Sequence, residues 1–319
     1  MAHEVETMTW TGKKPWHGLG VEGSADRTPV EILMDAGLAW ETAKVPLYYE
    51  QNGLQLPSPA SGLIRTSDAK YLDTVSGDWE PVQNIDAVDF LDPFFDAGII
   101  SMETAGSLKG GQNVFFLGKM KEQFEVVNGD VTQAFLLFTN FHKYGFSTDI
   151  RLTPIRVECN NMLTMALRGS NKQAVKVTHR AKFDTERVQA VVAESIGKLS
   201  EYEAQAKHLA AKRYDRDSLR EYFAKVYPAA ASAKGANDNL SRVALQAIDA
   251  VDRQPGARFA EGSWYQAYNA VTYISDHVQG RTAENRLYSS WYGPNQVRKL
   301  SSLKLALDYA DKSPDLLAA

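Results

Sequence analysis

The sequence contains one cysteine, Cys159, among its 319 residues. A single thiol excludes a disulfide within the chain and any zinc site built from several cysteines. The sequence also lacks an apolar run of the roughly 18 residues that cross a bilayer, and its first residues, MAHEVETMTW, carry acids where a signal peptide has an apolar core. We therefore expect a soluble protein of the reducing cytoplasm, without a membrane partner.

Short motifs that mark common active sites are also missing. The sequence has no HExxH, paired CxxC, GxSxG or Walker motif, and its acids show no spacing typical of a two-metal nuclease. The glycines of ETAGSLKGG precede a predicted strand, whereas a phosphate loop ends in Gly-Lys-Ser/Thr. A turn is the favoured interpretation, and a backbone that approaches a phosphate beside Lys109 is the alternative. We predict no catalytic residue, cofactor or metal, and a binding protein is favoured over an enzyme.

The net charge is small, since 35 Lys and Arg stand against 39 Asp and Glu to give −4. A protein that is basic over its whole surface is therefore not expected, but a local basic patch still suits nucleic acid. Between residues 151 and 182 one acid, Glu158, accompanies seven cations: Arg151, Arg156, Arg168, Lys172, Lys176, Arg180 and Lys182. Residues 172–180 alternate with period two, which fits either a solvated, lysine-bearing edge strand or a stripe that tracks phosphates.

The densest β-branched and aromatic runs lie between Gly110 and Arg168. Asn128-Gly129 is a strong hairpin signal, and from Asn160 the apolar spacing becomes helical. We predict three or four antiparallel strands that lead into a helix. The predicted strands are Val114–Lys119, Phe124–Val127, Val131–Thr139 and Ser147–Glu158, with a polar link at Met120–Gln123.

Cap, proline and periodicity signals predict the remaining elements. Before the dense stretch they are a helix opened by Thr28 and Pro29, short strands around Trp40–Tyr49 and Leu63–Arg65, and a helix from Asn84 that Pro93 interrupts. After it they are a long helix from Asp184 to about Arg213, then helices at Ser218–Tyr227, Asn239–Arg253, Ser263–Gln279 and Pro294–Ala310.

These elements predict an α+β fold with an antiparallel sheet, a β-β-β-α core packed by helices, and a mostly helical C-terminal part. We place a core domain at residues 1–228, a linker in the Ala/Ser/Gly-rich stretch 229–238, and a helical subdomain at 239–319. Trp264, Tyr268, Val271 and Ser275 recur at helical spacing, which favours core packing over a base-stacking platform.

Six blocks of sequence resemble the signature blocks of the phage and plasmid family known as domain of unknown function 932. The blocks are PWHGLG at 15–20, AGLAW at 36–40, PVQN at 81–84, ETAGSLKGG at 103–111, TPIRVECNNML at 153–163 and NAVTYISDH at 269–277. The resemblance implies a mobile-element origin and a bacterial host cytoplasm, but no catalytic residue. The family's usual Val-Cys-x-Asn-Thr-Leu stands here as Glu158-Cys159-Asn160-Asn161-Met162-Leu163, and we expect Cys159 to be a small buried hydrophobe.

The predicted order of strands and helix also resembles, at the level of topology, the core of Rad52-like single-strand annealing proteins. That resemblance implies a basic groove for the backbone of single-stranded DNA, and homo-oligomers in the form of rings or filaments. The leading hypothesis is an ATP-independent annealing protein. Its nucleic-acid-binding residues are expected to be Lys109, Arg151, Arg156, Asn160, Asn161, Arg168, Lys172, Lys176, His179 and Arg180. The alternatives are a non-enzymatic factor that binds a host protein, favoured by the acidic pI and the aromatic C-terminal helices, and an enzyme that acts on nucleic acid or a nucleotide.

Overall fold

The computed structural model describes residues 5–11, 20–23, 27–146, 148–158, 161–166, 185–229 and 240–316. The strands in these ranges are β1 (Val5–Trp10), β2 (Val21–Glu22), β3 (Thr42–Gln51), β4 (Leu54–Arg65), β5 (Lys70–Ser76), β6 (Ile100–Leu108), β7 (Asn113–Glu125), β8 (Val131–Phe141), β9 (Asp149–Leu152), β10 (Ile155–Arg156) and β11 (Met165–Ala166). The helices are α1 (Pro29–Asp35), α2 (Asn84–Asp89), α3 (Asp92–Asp96), α4 (Thr185–Ala211), α5 (Arg216–Val226), α6 (Arg242–Arg253), α7 (Trp264–Tyr273), α8 (Ala283–Tyr292) and α9 (Pro294–Ala310). The predicted α+β class, with a helical C-terminal part, is confirmed.

The chain forms two compact units, each assembled from three segments. Unit 1 comprises residues 1–121, 135–152 and 166–194, and unit 2 comprises residues 122–134, 153–165 and 195–319. Most of the residues in the predicted linker lie outside the described ranges. None of the described helices is both long enough and apolar enough to cross a membrane.

The larger sheet has the strand order β11-β9-β8-β7-β6-β1-β2, and β10 also pairs with β8. The pairings β1–β6, β6–β7 and β8–β9 are antiparallel, while β1 and β2 run parallel. In unit 1 Phe90 and Phe94 from α2 and α3 meet Phe138 of β8, with ring centroids 5.6 Å apart. A smaller antiparallel sheet has the order β3-β4-β5.

Local signals account for the elements that the sequence predicted well. Thr28 accepts a hydrogen bond from the Glu31 N–H and Glu31 accepts one from the Thr28 N–H, so α1 begins with a capping box, followed by Pro29. The break expected at Pro93 is present, since α2 ends before α3 begins there. The long helix and the helices at 216–226 and 294–310 are confirmed.

Strands β1, β2, β5 and β6 were not predicted, and the predicted strand Ser147–Glu158 is two short strands, β9 and β10. Two further differences lie in β7 and β4. Met120–Gln123 is part of β7, because Met120 is buried while Lys121 and Gln123 are exposed, which is the period-two pattern of a strand with one buried face. The turn-rich stretch after Asn52 is the first half of β4. It pairs with β3, beginning at the tip of the hairpin, where Gln51 lies opposite Leu54.

The helix predicted from Asn160 is wrong over residues 161–166, where the backbone forms an isolated bridge and β11. Contacts distant in sequence explain the difference. The Met162 N–H donates to the Asp276 carboxylate at 2.9 Å, and the Leu163 N–H donates to the Pro154 carbonyl at 3.1 Å. The Arg156 N–H also donates to the Asn161 carbonyl at 2.9 Å, and Gln296 Nε2 donates to the Thr164 carbonyl at 3.0 Å. A helix would need these carbonyls for its own ladder, so tertiary structure overrides the local spacing.

Unit 2 holds the C-terminal helices around an aromatic core. Trp264, Tyr265 and Tyr268 of α7 are almost completely buried, which confirms core packing for this aromatic stripe. The helix continues beyond Tyr273 as a wide π-helical turn, Ile274–Val278, in which the Gln279 N–H donates to the Ile274 carbonyl. Helix α8 was not predicted; Thr282 caps it by accepting from the Asn285 N–H.

Candidate nucleic-acid interface

The structure places four of the ten residues predicted to contact nucleic acid. They are Lys109, Arg151, Arg156 and Asn161. The other six lie outside the described residues, namely Asn160, Arg168, Lys172, Lys176, His179 and Arg180, and Cys159 is outside them too. The geometry therefore tests only part of the predicted groove.

Arg156 lies in the interior of unit 2. Its Nε donates to Asp130 Oδ1 at 2.5 Å and its Nη2 donates to the Gly256 carbonyl at 2.8 Å, and the whole residue is 4% exposed. The guanidinium also lies over the ring of Tyr265 at 5.3 Å from the centroid. This burial removes Arg156 from the predicted phosphate-contacting set, because its charge is already paired and no solvent reaches it.

Asn161 is likewise buried and bonded. Its Nδ2 donates to the Asn269 carbonyl at 3.3 Å, and its Oδ1 lies 3.1 Å from His277 Nε2. The block that contains Asn161 thus meets the block NAVTYISDH, although more than 100 residues separate them. Asn161 joins segment 153–165 to α7 and the π-helical turn, which does not fit the predicted hydrogen bond to a phosphate.

Asp276 is the centre of this contact. Its Oδ1 accepts from Lys299 Nζ and from Ser290 Oγ, both at 2.6 Å, and its Oδ2 accepts from the Met162 N–H. Asp276 and Lys299 are both fully buried, and burial lowers the pKa of Lys299. Asp276 and His277 are adjacent in the block NAVTYISDH, but their side chains bond to different partners. The cluster holds four elements together, namely the π-helical turn, the segment at Met162, α8 and α9, and the complete burial of its two charges gives a substrate no access.

Lys109 and Arg151 belong to unit 1. Lys109 begins a tight turn in which Lys109, Gly110 and Gly111 have φ values of 55, 65 and 97°. The predicted turn is therefore confirmed, and glycine suits it because a left-handed backbone carries no penalty without a Cβ. Arg151 is partly buried on β9, and its Nε donates to Asp149 Oδ2 at 2.5 Å.

A charged cluster that the sequence analysis missed lies close to this turn. Arg65 donates to Glu6 Oε2 and Oε1 at 2.7 and 2.8 Å, and its Nε donates to Asp68 Oδ1 at 2.9 Å. Lys70 Nζ lies 3.1 Å from Glu6 Oε1. The hydrogen bond from Arg65 lowers the pKa of Glu6 and lowers that of Asp68 to about 2. The two cations and two carboxylates of this cluster neutralise each other. Arg65 and Glu6 are 59 residues apart, so no local sequence pattern predicts their ion pair.

A second missed cluster is neutral. His142 Nε2 lies 2.8 Å from Asn84 Oδ1, and Asn140 Nδ2 donates to the Val82 carbonyl at 2.9 Å. Asn84 Nδ2 in turn donates to the Leu38 carbonyl at 2.9 Å. Burial lowers the pKa of His142 to about 3, so the imidazole is neutral at physiological pH. These side chains join the block PVQN to the block AGLAW, and the partners span up to 58 residues.

Glu103 occupies an irregular position on β6. Met102 pairs with Gly118 and Thr104 with Leu117, so Glu103 is the extra residue of a β-bulge. Burial raises the pKa of its carboxyl to about 7, and the charge of Lys119 counteracts this only in part. A bulge can redirect a side chain, but the described residues provide Glu103 with no second catalytic group. Among the described residues no group of three His, Cys, Asp or Glu is arranged to hold a metal ion.

Five of the six remaining predicted residues, all except Asn160, follow β11 and precede α4 in the sequence. Strand β11 is the last strand in the order of the larger sheet, beside β9, which carries Arg151. The chain enters residues 167–184 from β11 and leaves them at the start of α4. The five cations of this segment thus follow directly on an edge strand, and a long helix comes next.

A comparison of the whole chain with known proteins gives one match. A family model described as "Domain of unknown function (DUF932)" matches residues 71–291. No curated protein and no solved structure matches the chain. The matched region covers well over half of the sequence, and it includes the contacts between segment 153–165 and the π-helical turn. The chain therefore belongs to the DUF932 family, as its sequence blocks indicated.

Proposed function

We propose that this protein binds single-stranded DNA through residues 168–182 and promotes annealing or recombination of phage or plasmid DNA without ATP. The cations Arg168, Lys172, Lys176, Arg180 and Lys182 neutralise phosphates and leave the bases available for pairing. A homo-oligomer extends the binding surface along the strand. The protein acts in the cytoplasm of a bacterial host.

One observation carries the proposal. Residues 168–182 contain five cations and no acid in a chain of net charge −4, and in the sequence they follow β11, which is the last strand in the order of the larger sheet among the described residues, and precede α4. Four strands consecutive in the chain, β6 to β9, precede this segment, as in the strand part of the Rad52-like annealing core, whereas the helix expected after those strands has no counterpart over residues 161–166. This likeness concerns topology alone, so the charge carries the functional argument.

The host-protein alternative loses one of its supports. It drew on the aromatic residues of the C-terminal helices, and Trp264, Tyr265 and Tyr268 are buried in unit 2. Buried rings are not available to a partner. A third possibility, turnover of nucleic acid, has no described group of metal ligands to support it.

The test is binding of a labelled single-stranded oligonucleotide by fluorescence anisotropy across a salt series. Each phosphate contact contributes about 0.7 to the slope of log K against log[salt], so five contacts predict a slope of about −3.5. The variant Lys172→Glu/Lys176→Glu/Arg180→Glu is expected to lose about two units of slope and about hundredfold in affinity at low salt.

The matched control changes the net charge equally on exposed helix positions of unit 2, in the variant Lys207→Glu/Lys225→Glu/Lys304→Glu. It is expected to retain the slope, because slope follows local phosphate contacts rather than total charge. Equal losses in both variants, or wild-type affinity independent of salt, contradict the proposal. Acceleration of annealing between two complementary labelled strands, without nucleotide, tests its second part.

A further inference from the structure

The sheet β3-β4-β5 has two faces of different character. One face packs on a small core of Leu63, Leu72 and Val75, with Trp40 and Trp79 against it. The opposite face, here called the outer face, is formed by the odd-numbered residues of β3 and the even-numbered residues of β4, which pair with each other. Tyr71 of β5 lies opposite Ile64 and extends this face.

The outer face is continuous and apolar. A Cβ built on Gly62 would meet Tyr71, Val45 and Leu47 within 3.2 Å, so these side chains pack over the glycine. Toward the tip of the hairpin Tyr49 lies opposite Leu56, and Leu54 follows on the same face. Tyr49, Leu54 and Tyr71 are 50, 65 and 51% exposed.

The outer face also lacks charge. None of the odd-numbered residues of β3 or the even-numbered residues of β4 is charged, although 23% of the chain is. An antiparallel sheet that faces water normally carries polar residues on that side. An exposed apolar surface of this size marks an interaction site rather than a solvated face.

The edges of the hairpin do not suit strand addition. Strand β5 pairs with β4 only from Ala60 to Arg65, so among described residues the outer half of β4 is bordered by β3 alone. Pro46, Pro57 and Pro59 lie along this ribbon, and proline offers no N–H to an added strand. A partner therefore docks on the face, and a two-stranded ribbon is marginally stable in water without such cover.

We propose that the outer face packs against the same face of a second copy of this chain, related by a two-fold axis. An uncharged face meets its own copy without like-charge repulsion, and its tyrosines and leucines supply the buried anchors. The ten residues of β3 span about 33 Å, and the sheet is three strands, about 14 Å, wide over its inner half and two strands, about 10 Å, wide over its outer half, which gives about 800 Å² for the pair of faces. This area is below that of stable specific interfaces and is typical of a weak one, so the dimer dissociates on dilution.

Sheets packed in this way lie about 10 Å apart with their strands about 30° from parallel. Tyr49, Leu54 and Leu56 of each copy then interdigitate near the axis. The inference rests on the oligomeric part of the proposed function and not on DNA binding, so the dimer is measured without nucleic acid.

Sedimentation equilibrium of the full chain over a range of micromolar concentrations tests the inference. The wild-type chain is expected to approach twice its monomer mass as concentration rises. The variant Tyr49→Glu/Leu54→Glu is expected to raise the dimer dissociation constant about hundredfold or more, because two buried apolar anchors become charged. Its unfolding transition is expected to match the wild type, since both side chains are at least half exposed in the chain.

The control variant is Tyr48→Glu/Gln55→Glu. Tyr48 and Gln55 lie on the same stretch of ribbon and both are exposed, but they project from the opposite face. Their replacement is expected to change the dissociation constant by no more than about twofold, as for ordinary surface changes. Equal dissociation of both variants overturns the proposal.

A wild-type chain that stays monomeric at every concentration also overturns the dimer and leaves the face for another protein. DNA binding by Tyr49→Glu/Leu54→Glu separates the two proposals. If the wild type dimerises but no variant or wild-type chain binds single-stranded DNA, the proposed function fails and the dimer stands. If the wild type binds single-stranded DNA but stays monomeric, the proposed DNA binding stands and the dimer fails.

Discussion

Units 1 and 2 both bury polar side chains, but the network around His142 in unit 1 is neutral whereas unit 2 buries two complete ion pairs. The charged cluster of unit 1 differs from those pairs, because the partners of Arg65 keep contact with solvent. In unit 1 His142 and Asn140 surround Asn84, and the imidazole is neutral. In unit 2 the pairs Arg156–Asp130 and Lys299–Asp276 are almost free of solvent. A count of the cationic side chains of unit 2 therefore does not predict its affinity for phosphate, because Arg156 and Lys299 are buried in ion pairs.

The two kinds of interior also respond differently to mutation and to pH. A buried ion pair contributes little net stability, yet removal of one partner leaves an uncompensated charge in a medium of low polarity. A buried neutral histidine has no ion-pair partner, so removal of a nearby charge has little effect on its stability. It must, however, take up a proton when the chain unfolds in acid. The following predictions separate these responses.

The largest effect is expected for Asp276→Ala. This change leaves the Lys299 ammonium buried without its carboxylate and removes the acceptor of the Met162 N–H, so it should cost about 3–5 kcal/mol. Urea unfolding followed by circular dichroism measures the loss. The double variant Asp276→Ala/Lys299→Met should recover part of it, and equal stability of the single variant and the wild type would contradict the buried pair.

The next effect concerns Arg156→Lys. A lysine cannot donate to both Asp130 and the Gly256 carbonyl in the arginine's geometry, so the free energy of unfolding should fall by about 3 kcal/mol. Arg258→Lys is the control, because Arg258 lies over the same Phe259 ring with a side chain that is 71% exposed. That change should cost no more than about 0.5 kcal/mol. The salt slope of DNA binding should be unchanged in both variants, and a lower slope in Arg156→Lys would return Arg156 to the interface.

A smaller, pH-dependent effect is expected at His142. Its pKa is about 3 in the folded chain and near 6.5 when exposed, so the unfolded state binds more protons between these values. Stability from this group is full above about pH 6.5 and falls as the pH drops, by about 2 kcal/mol at pH 5. His142→Gln should remove this loss from the unfolding free energy measured between pH 7 and pH 5.

Glu103 titrates in the same window with the opposite sign. Its pKa is raised to about 7 because burial penalises the ionised carboxyl, so its contribution to stability is full below its unfolded pKa and is lost as the pH rises from there through 7. The comparison of wild type with His142→Gln isolates the histidine, because Glu103 is present in both. An unchanged pH dependence in His142→Gln would show that His142 is not buried as a neutral group.

The smallest expected effect is the loss of a helix N-cap, and it should be about equal in the two units. Thr28 caps α1 in unit 1 and Ser241 caps α6 in unit 2, each by accepting from an N–H of the first turn. Thr28→Ala and Ser241→Ala should each lower the unfolding free energy by about 1 kcal/mol, measured in urea. A large difference between them would mean that the units unfold independently, so that one melt does not report both caps.

Most helices could be predicted from the sequence because their signals are local. Thr28 and Pro29 at α1, and Pro294 at the start of α9, act on the turn that they begin. Strand β7 is longer than the sequence predicts because the run Met120–Gln123 is mostly polar, and only the buried Met120 between two exposed lysines shows the period-two pattern of a strand. The helix predicted after Asn160 is wrong because partners distant in sequence bind this segment: the Met162 N–H bonds to Asp276, 114 residues away, and the Thr164 carbonyl to Gln296, 132 residues away.

The candidate site was less accessible to sequence reasoning. Arg156 and Arg168 contribute equally to the net charge of the basic stretch. The sequence around Arg156 gives no sign that its guanidinium bonds to Asp130 and to the Gly256 carbonyl. The partners of Asn161 are equally distant. Composition thus identified the basic stretch, but burial decides which of its cations can face a ligand.

The π-helical turn Ile274–Val278 also constrains the length of the chain. An α-helix rotates about 100° per residue, so deletion of one residue from this turn would rotate Asp276 and His277 relative to Trp264 and Tyr268 at the start of α7. The Asp276 carboxylate could then reach Lys299 only if Trp264 and Tyr268 lost their packing in the core. The two rings could keep that packing only if Asp276 lost its contact with Lys299. Substitutions at the outer positions of this turn are tolerable in principle, but a deletion or insertion of a single residue is not.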